Sequence, residues 1–307
     1  MEEQHTPEVS VCIATYKRSE MLLHLLESLA QQTFPLASFE VIVIDNDKSA
    51  SARQAVLQAS RLYPTLTVRY EIEPTQGIAN ARNKSVALAA GKLLAFIDDD
   101  EWAVSHWLSD LVASMANQET DAVLGPVIPQ YPAGTKTWVV KSRFFERSRF
   151  ATGTFIGSEN CRTGNALVRA YRVKSRQPLP FDEGLAQSGG EDHDFFNWLE
   201  GQGGKFIWCD SAEVREAVPF NRQTLGYMLK RGLRVSTTYW QNINQNRRKP
   251  RAVVEAMWGV GIGIGFAVLG LSYLPAGLHR TARIWVISAK GFGRVIALAD
   301  IKLAGYR

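Results

Sequence analysis

The sequence predicts an α/β protein built on a doubly wound, mostly parallel sheet and followed by a C-terminal helical extension that associates with membranes. Three observations predict this. The first hundred residues alternate short β-branched runs with segments of helical period. Acidic residues stand at the ends of two of those runs, Asp45 and Asp98-Asp99-Asp100. Near the C-terminus the run 256–277 carries no charge and is long enough to cross a bilayer. A chain of 307 residues that is 46% hydrophobic and 10% aromatic has ample material for a core, which excludes global disorder. A net charge of +5 suits anionic membranes or phosphorylated substrates, and equally many ordinary enzymes.

Val9 to Ala14 reads as a buried first strand. Ser19 then reads as the cap of a helix whose Leu22, Leu25, Leu26 and Leu29 share one face. Val41 to Ile44 is a second strand ending at Asp45, and a helix from about Ser51 to Tyr63 follows. Val68 to Ile72, a helix over Gly77 to Ala89, and Leu93 to Ile97 complete the alternation, the last running straight into the aspartate triplet. Open α/β sheets bind ligands at the carboxyl ends of their strands, so Asp45 and the triplet are expected to share one crevice.

Beyond Asp121 the pattern loosens. Strands are expected near Ala122 to Val127, Asn165 to Arg169, Lys205 to Cys209 and Glu213 to Val218, with a helix from about Gly190 to Glu200. The basic, aromatic stretch Trp138 to Phe150 reads as a loop or short helix. An amphipathic helix over Gln223 to Trp240 precedes the cluster Arg247-Arg248-Lys249-Pro250-Arg251 and the uncharged run. Positive charges flank that run on both sides, which leaves a span, a re-entrant segment and an in-plane helix open. Small-xxx-small spacing, as in Gly259 and Gly263, permits close helix packing. The expected domains are 1–222, with a nucleotide-binding half 8–102 and an acceptor half 103–222, and the extension 223–307. Cys12, Cys161 and Cys209 lack metal-ligand spacing and read as packing residues of a reducing compartment. The polar N-terminus does not read as a secretory signal, which places the expected active site in the cytoplasm.

Three adjacent carboxylates repel one another, and a divalent cation relieves that repulsion. Hard oxygen ligands suit Mg²⁺ or Mn²⁺. Alone, the triplet reads equally well as an acidic turn capping the next helix. Its company alters that balance: the polar turn after strand one (Ala14-Thr15-Tyr16-Lys17-Arg18), Asp45-Asn46, Gln76 to Asn83, and the triplet follow in order. This set resembles the family-2 inverting glycosyltransferases of the GT-A fold over roughly residues 8 to 220, nearest to the bacterial exopolysaccharide, succinoglycan-type branch.

The resemblance implies a nucleotide-sugar enzyme. Ala14, Thr15, Tyr16, Arg18, Asp45, Arg82, Asp98 and Asp99 are its implied nucleotide-side residues, and Asp98 and Asp100 its implied metal ligands. Glu216 would take the place of the histidine that many such enzymes use, since the stretch from Glu213 to Glu216 has none. Glu191-Asp192 resembles the family's Glu-Asp motif. An acceptor hydroxyl needs a positioned carboxylate to remove its proton, and Asp192 is the expected base with Glu191 second. Gly164 to Leu167 resembles the acceptor-side segment, and Trp138, Phe144, Phe145, Arg147 and Arg149 are candidates for an acceptor surface.

The expected activity is hexose transfer from a nucleotide sugar, a UDP-sugar by preference, to a lipid-linked saccharide. The expected place is the cytoplasmic face of a bacterial inner membrane. Two other classes compete: a metal-dependent nucleotidyltransferase, disfavoured because the turn Thr15 to Ser19 contains no glycine to grip a triphosphate, and a non-catalytic membrane-bound sugar-binding scaffold. Nucleic acid is not an expected partner, because a membrane surface accounts better for basic residues beside an apolar run.

Overall fold

A computed structural model of the protein describes residues 6–116, 119–185, 189–245 and 249–299. In chain order the elements are β1 (Val9–Thr15), α1 (Ser19–Ala30), β2 (Phe39–Asp45), α2 (Arg53–Leu62), β3 (Val68–Ile72), α3 (Ile78–Leu88), β4 (Leu93–Ile97) and β5 (Glu101–Ala103). Next come α4 (Trp107–Met115), β6 (Ala122–Leu124), β7 (Val127–Gln130), α5 (Thr137–Ser142), β8 (Phe155–Ile156), β9 (Asn165–Arg169) and α6 (Ala170–Lys174). The chain continues through α7 (Glu191–Gly201), β10 (Phe206–Trp208), β11 (Val214–Ala217), α8 (Leu225–Gln245), α9 (Lys249–Ser272) and α10 (Leu278–Ile296).

These elements form two compact units, Met1–Ile128 with Arg147–Gln187 and Glu191–Glu216, and Pro129–Glu146 with Ser188–Gly190 and Ala217–Arg307. The division falls at Glu216 instead of residue 222, and the segment 129–146 belongs with the C-terminal part.

In the first unit an eight-stranded sheet runs β3-β2-β1-β4-β9-β6-β10-β8. The four N-terminal strands pair in parallel, as the strand–helix alternation predicts. The strands are buried on both faces because β-branched residues alternate sides with period two. Val9, Val11 and Ile13 meet Leu22, Leu25, Leu26 and Leu29 of α1 on one side. Cys12, Ile44 and Phe96 meet Ala79 and Val86 of α3 and Phe195 and Phe196 of α7 on the other. Thr15 is level with Asp45, so β1 and β2 end together and place their following turns side by side.

The later strands depart from simple parallel winding. β9 is antiparallel to both β4 and β6, and β8 to β10. Ile97, the last residue before the triplet, is level with Asn165, the first of β9, so the chain from Gly164 starts beside the triplet. Ser19 is the first residue of α1 and no side chain caps that helix. Strand β5 and helix α4 were not expected, since three residues of β5 carry too little period to register.

In the second unit α10 lies between α8 and α9, and glycines set the spacing. A Cβ on Gly291 of α10 would come 2.6 Å from the backbone nitrogen of Gly263, and one on Gly293 would come 2.6 Å from Cβ of Ser236. Ser288 Oγ donates to the Gly263 carbonyl at 2.6 Å and Ser236 Oγ to that of Lys290 at 2.6 Å. Gly259, Gly263 and Gly270 of the uncharged run therefore serve packing within the chain. The first part of the tail after Arg280, which in sequence mixes basic and apolar residues, lies in helix α10. Of the basic cluster, Arg247 and Arg248 lie outside the described residues.

Candidate active site

The turn after β1 carries Lys17 in a left-handed conformation (φ 54°), which is uncommon for a residue with a Cβ and turns the chain sharply into α1. This puts Arg18 over the triplet. Its Nη1 donates to Asp99 Oδ1 at 2.8 Å and lies 3.2 Å from Asp100 Oδ2. Thr15 Oγ1 donates to the other oxygen of Asp99 at 2.8 Å. Asp99 is buried and its two oxygens are held by β1 and its turn, so it anchors those residues.

Asp45 is likewise bonded within the chain. It is 0% exposed, and its carboxylate accepts from the backbone nitrogens of Asp47 (3.0 Å) and Ala52 (2.8 Å) and from the Tyr70 hydroxyl (2.8 Å). Aspartate at a strand end bonds readily to backbone two residues on, and here it shapes the β2–α2 turn. Asn46 ties that turn to α3: its amide donates to the Glu73 and Thr75 carbonyls, and its oxygen accepts the Gly77 N–H at 2.7 Å. Gly77 has φ 148°, a conformation that favours glycine at the start of α3.

Helix α3 presents Arg82 to two acids. Its Nη2 donates to Asp98 Oδ1 at 2.9 Å, and its Nη1 pairs closely with Glu191 Oε1 at the start of α7. The guanidinium lies 6.0 Å from the Phe181 ring centroid. Asn83 holds Phe181 in place by reciprocal 2.9 Å bonds to its backbone. The first aspartate of the triplet and the Glu-Asp motif, distant in sequence, thus share one buried cation. Asp192 follows Glu191 in the first turn of α7, half-buried, with Oδ1 accepting the His193 N–H at 2.7 Å.

Glu101 is a site residue that the motif reading passed over, although it adjoins the triplet. It is 1% exposed; Oε2 accepts the Asp98 N–H at 3.0 Å, and Oε1 is buried without a partner. Glu216 stands directly opposite Glu101 in the β5–β11 pair, where like charges repel. Arg147 Nη2 relieves this by pairing with Glu216 at 2.8 Å. Arg149 pairs instead with Asp210 and Glu213. Phe145 is buried with Met228 in the core of the second unit, and Trp138, Phe144 and Tyr227 are partly buried against it. Asn165 bridges the Trp107 indole and the Pro126 and Ala212 carbonyls, which makes it a structural junction.

Acids outnumber arginines here. Arg18 serves Asp99 and Asp100, Arg82 serves Asp98 and Glu191, and Arg147 serves Glu216. Burial raises the Asp100 carboxyl to about 6, with Arg18 opposing and Asp98, Glu216 and Asp99 adding to the rise. Burial likewise raises Asp99 and Glu101, and raises Glu191 against the opposing charge of Arg82. Among the described residues no three His, Cys, Asp or Glu side chains form a metal cage, so the expected shell of Asp98, Asp100 and Glu216 is not preassembled. Arg82, Arg18 and Arg147 pair with Asp98, Asp100 and Glu216 respectively. Excess oxygen ligands with raised pKa fit a divalent ion bound by one or two carboxylates together with phosphate oxygens, which is how Mg²⁺ is usually held.

Residues 10–176 match the sequence profile described as Glycosyl transferase family 2. A succinoglycan biosynthesis protein, ExoM of Rhizobium meliloti, is 34% identical over 76% of this chain and 74% of its own length. Glycosyltransferase AglE of Haloferax volcanii is 28% identical over 95% of this chain and 91% of its own. Among solved structures, the mannosyltransferase PcManGT of Pyrobaculum calidifontis, in complex with GDP-Man and Mn²⁺, superposes with TM-score 0.64 at 17% identity, covering 97% of this chain and 87% of that one. S. aureus TarS in complex with UDP superposes with TM-score 0.55 at 17% identity, covering 95% and 91%. The two structures share the GT-A fold of this chain. Profile and relatives together show that the chain belongs to glycosyl transferase family 2.

Proposed function

We propose that this glycosyltransferase moves a hexose, with inversion, from a nucleotide sugar to a lipid-linked saccharide at the cytoplasmic face of a bacterial membrane, in surface or exopolysaccharide synthesis. The observation that carries the reading is the bridge Asp98–Arg82–Glu191, which places the triplet beside the helix bearing Asp192. ExoM, a succinoglycan biosynthesis protein, supports the polysaccharide setting, and TarS, solved with UDP, and PcManGT, solved with GDP-Man, support a nucleotide-linked donor.

In this reading Ala14 and Tyr16 border the nucleotide, and Arg18 meets its phosphates. Asp100 and Asp98 would hold Mg²⁺ or Mn²⁺, whose chemistry would be to neutralise charge on the departing diphosphate. Glu216, paired with Arg147, lies beside that pair and completes the negative field. Asp192 removes the proton of the acceptor hydroxyl. The hydroxyl oxygen bonds to the anomeric carbon as the bond to the diphosphate breaks on the opposite face. A single displacement inverts the centre. Glu191, fixed by Arg82, sets the direction in which Asp192 leaves α7.

The decisive experiment measures Asp192→Asn against a panel of nucleotide sugars with Mn²⁺ or Mg²⁺ present. Transfer should be lost while donor binding persists. Retained turnover would place the base elsewhere, and failure of every nucleotide sugar to bind the parent protein would remove the donor assignment.

A further inference from the structure

We infer that α9 lies in the plane of one leaflet, with its apolar face against lipid, and does not cross the bilayer. The inference rests on the membrane association proposed above and decides its geometry. By length and composition α9 qualifies as a span: residues Ala252–Ser272 are apolar enough, and 24 helical residues reach about 36 Å. What excludes a crossing is the helix packed against it.

Helix α10 runs antiparallel to α9 along its length. Arg294 pairs with Glu255, Gly291 meets Gly259 and Gly263, Ser288 bonds to Gly263, and the Trp285 indole donates to the Ala267 carbonyl at 3.1 Å. Any depth reached by α9 is therefore reached by α10. Yet α10 exposes Arg280, Arg283 and Lys290 on one stripe with Ile287, and Lys290 stands level with the middle of the apolar run. Charged side chains at that depth are costly unless they face protein or water. Arg283 is tied instead to the end of α5, through the Ser142 (2.7 Å) and Lys141 (2.8 Å) carbonyls. The contacts from Gly259 to Gly291 are backbone-close and leave no room for α9 to separate alone without losing them.

The opposite face of α9 is as apolar as a lipid-facing surface needs to be. Val253, Val254, Met257, Trp258, Ile264 and Val268 are exposed, and the apolar surface continues around the turn at Tyr273 and Leu274. Cβ atoms at Gly261 and Gly265 would meet nothing within 4 Å. A continuous apolar face with a basic stripe on the neighbouring helix is the pattern of an interfacial element on an anionic leaflet. Charge complementarity therefore selects lipid over a second copy of the chain, whose own basic stripe would repel.

The test uses the full chain bound to sealed vesicles of phosphatidylcholine and phosphatidylglycerol. Cys12, Cys161 and Cys209 are buried, so an introduced cysteine reports alone. Ile287→Cys should react with a membrane-impermeant maleimide added outside at close to its rate in the unbound protein, whereas Ile264→Cys should slow at least about tenfold on vesicle binding. A second variant, Trp258→Glu with Val268→Glu, should lose vesicle binding while keeping nucleotide-sugar binding. Protection of Ile287→Cys until detergent is added would mean that α9 spans, overturning this inference and leaving the membrane assignment intact. Failure of the parent protein to bind vesicles, with or without dimers in sedimentation, would overturn both.

Discussion

Arg82 and Glu191 form a buried ion pair across 109 positions of sequence, and the same guanidinium holds Asp98 at 2.9 Å. One side chain of α3 thus fixes both the first aspartate of the triplet and the first turn of α7. Removing one partner of a buried pair leaves the other charge without compensation, at a cost of about 3–5 kcal/mol. Arg82→Ala is expected to lower stability by roughly that amount and to abolish transfer. Arg82→Lys keeps the charge but cannot serve two carboxylates with a planar fork, so it should fold and lose most of its turnover. Chemical denaturation alongside kcat separates the two effects.

Asp192→Asn should reduce kcat by about 10²–10⁴-fold, the usual contribution of a general base, with donor affinity unchanged. Glu191→Gln should also slow transfer but should in addition weaken the fold, because it loses the charge facing Arg82. A pair of titrations with donor and a pair of melting curves would distinguish the base from its neighbour. If Glu191→Gln alone abolished turnover with stability intact, the roles would be exchanged.

Asp100 gives the pH dependence its sign. Burial raises its folded pKa from 3.8 to about 6, so between those values the folded chain retains a proton that the unfolded chain has released. The group therefore lowers stability as pH rises through that window, and the metal-free fold bears the full cost at neutral pH, about 3 kcal/mol. Asp100→Asn should raise the melting temperature of the metal-free protein and remove the gain produced by Mn²⁺. In the parent protein, a cation must displace the Asp100 proton below about pH 6, so its apparent affinity should fall about tenfold per pH unit there. Thermal shifts recorded with and without Mn²⁺ across pH check both statements.

Thr15→Val removes the donor to Asp99 while preserving shape. Asp99 then keeps Arg18 but loses a buried hydrogen bond, and the expected cost is about 1–3 kcal/mol. Because the turn after β1 moves with Asp99, the Michaelis constant for donor should rise more than kcat falls. Steady-state kinetics at saturating acceptor measure the split.

Gly291→Leu should break the α9–α10 contact, since a Cβ there comes 2.6 Å from Gly263 nitrogen and 2.8 Å from the Gly259 carbonyl oxygen. Both neighbours are backbone and cannot yield. Gly261→Leu on the open face of α9 should be tolerated. Limited proteolysis of the two variants, with donor binding as a control, gives the comparison.

Most of the N-terminal fold was legible because its signals are local. Val68–Ile72, Leu93–Ile97 and Asn165–Arg169 are strands at the bounds the sequence suggests, since each is a short β-rich run with turn residues at its ends. The aspartate triplet and Glu191-Asp192 were legible as chemistry for the same reason: adjacent carboxylates are conspicuous in any order. The direction of β9 was not, because strand direction depends on which edge a later segment reaches.

The sequence by itself determined the parallel β/α half, the family and the two acidic motifs, because periodicity and motif spacing are properties of neighbouring residues. Only the tertiary structure decided what each acid touches. Asp45 and Asp99, equal to Asp98 and Asp100 on the page, are consumed by backbone amides, Tyr70, Thr15 and Arg18, while Glu101 and Arg147 enter the site from outside the motifs. The same holds for the uncharged run from Ala256 onward. Its composition allowed a crossing, and its packing against the charged helix α10 argues for the plane of the membrane. The physical reason is common to both: a carboxylate or an apolar helix acquires its role from whatever shares its buried surface, and those partners lie tens to a hundred residues away.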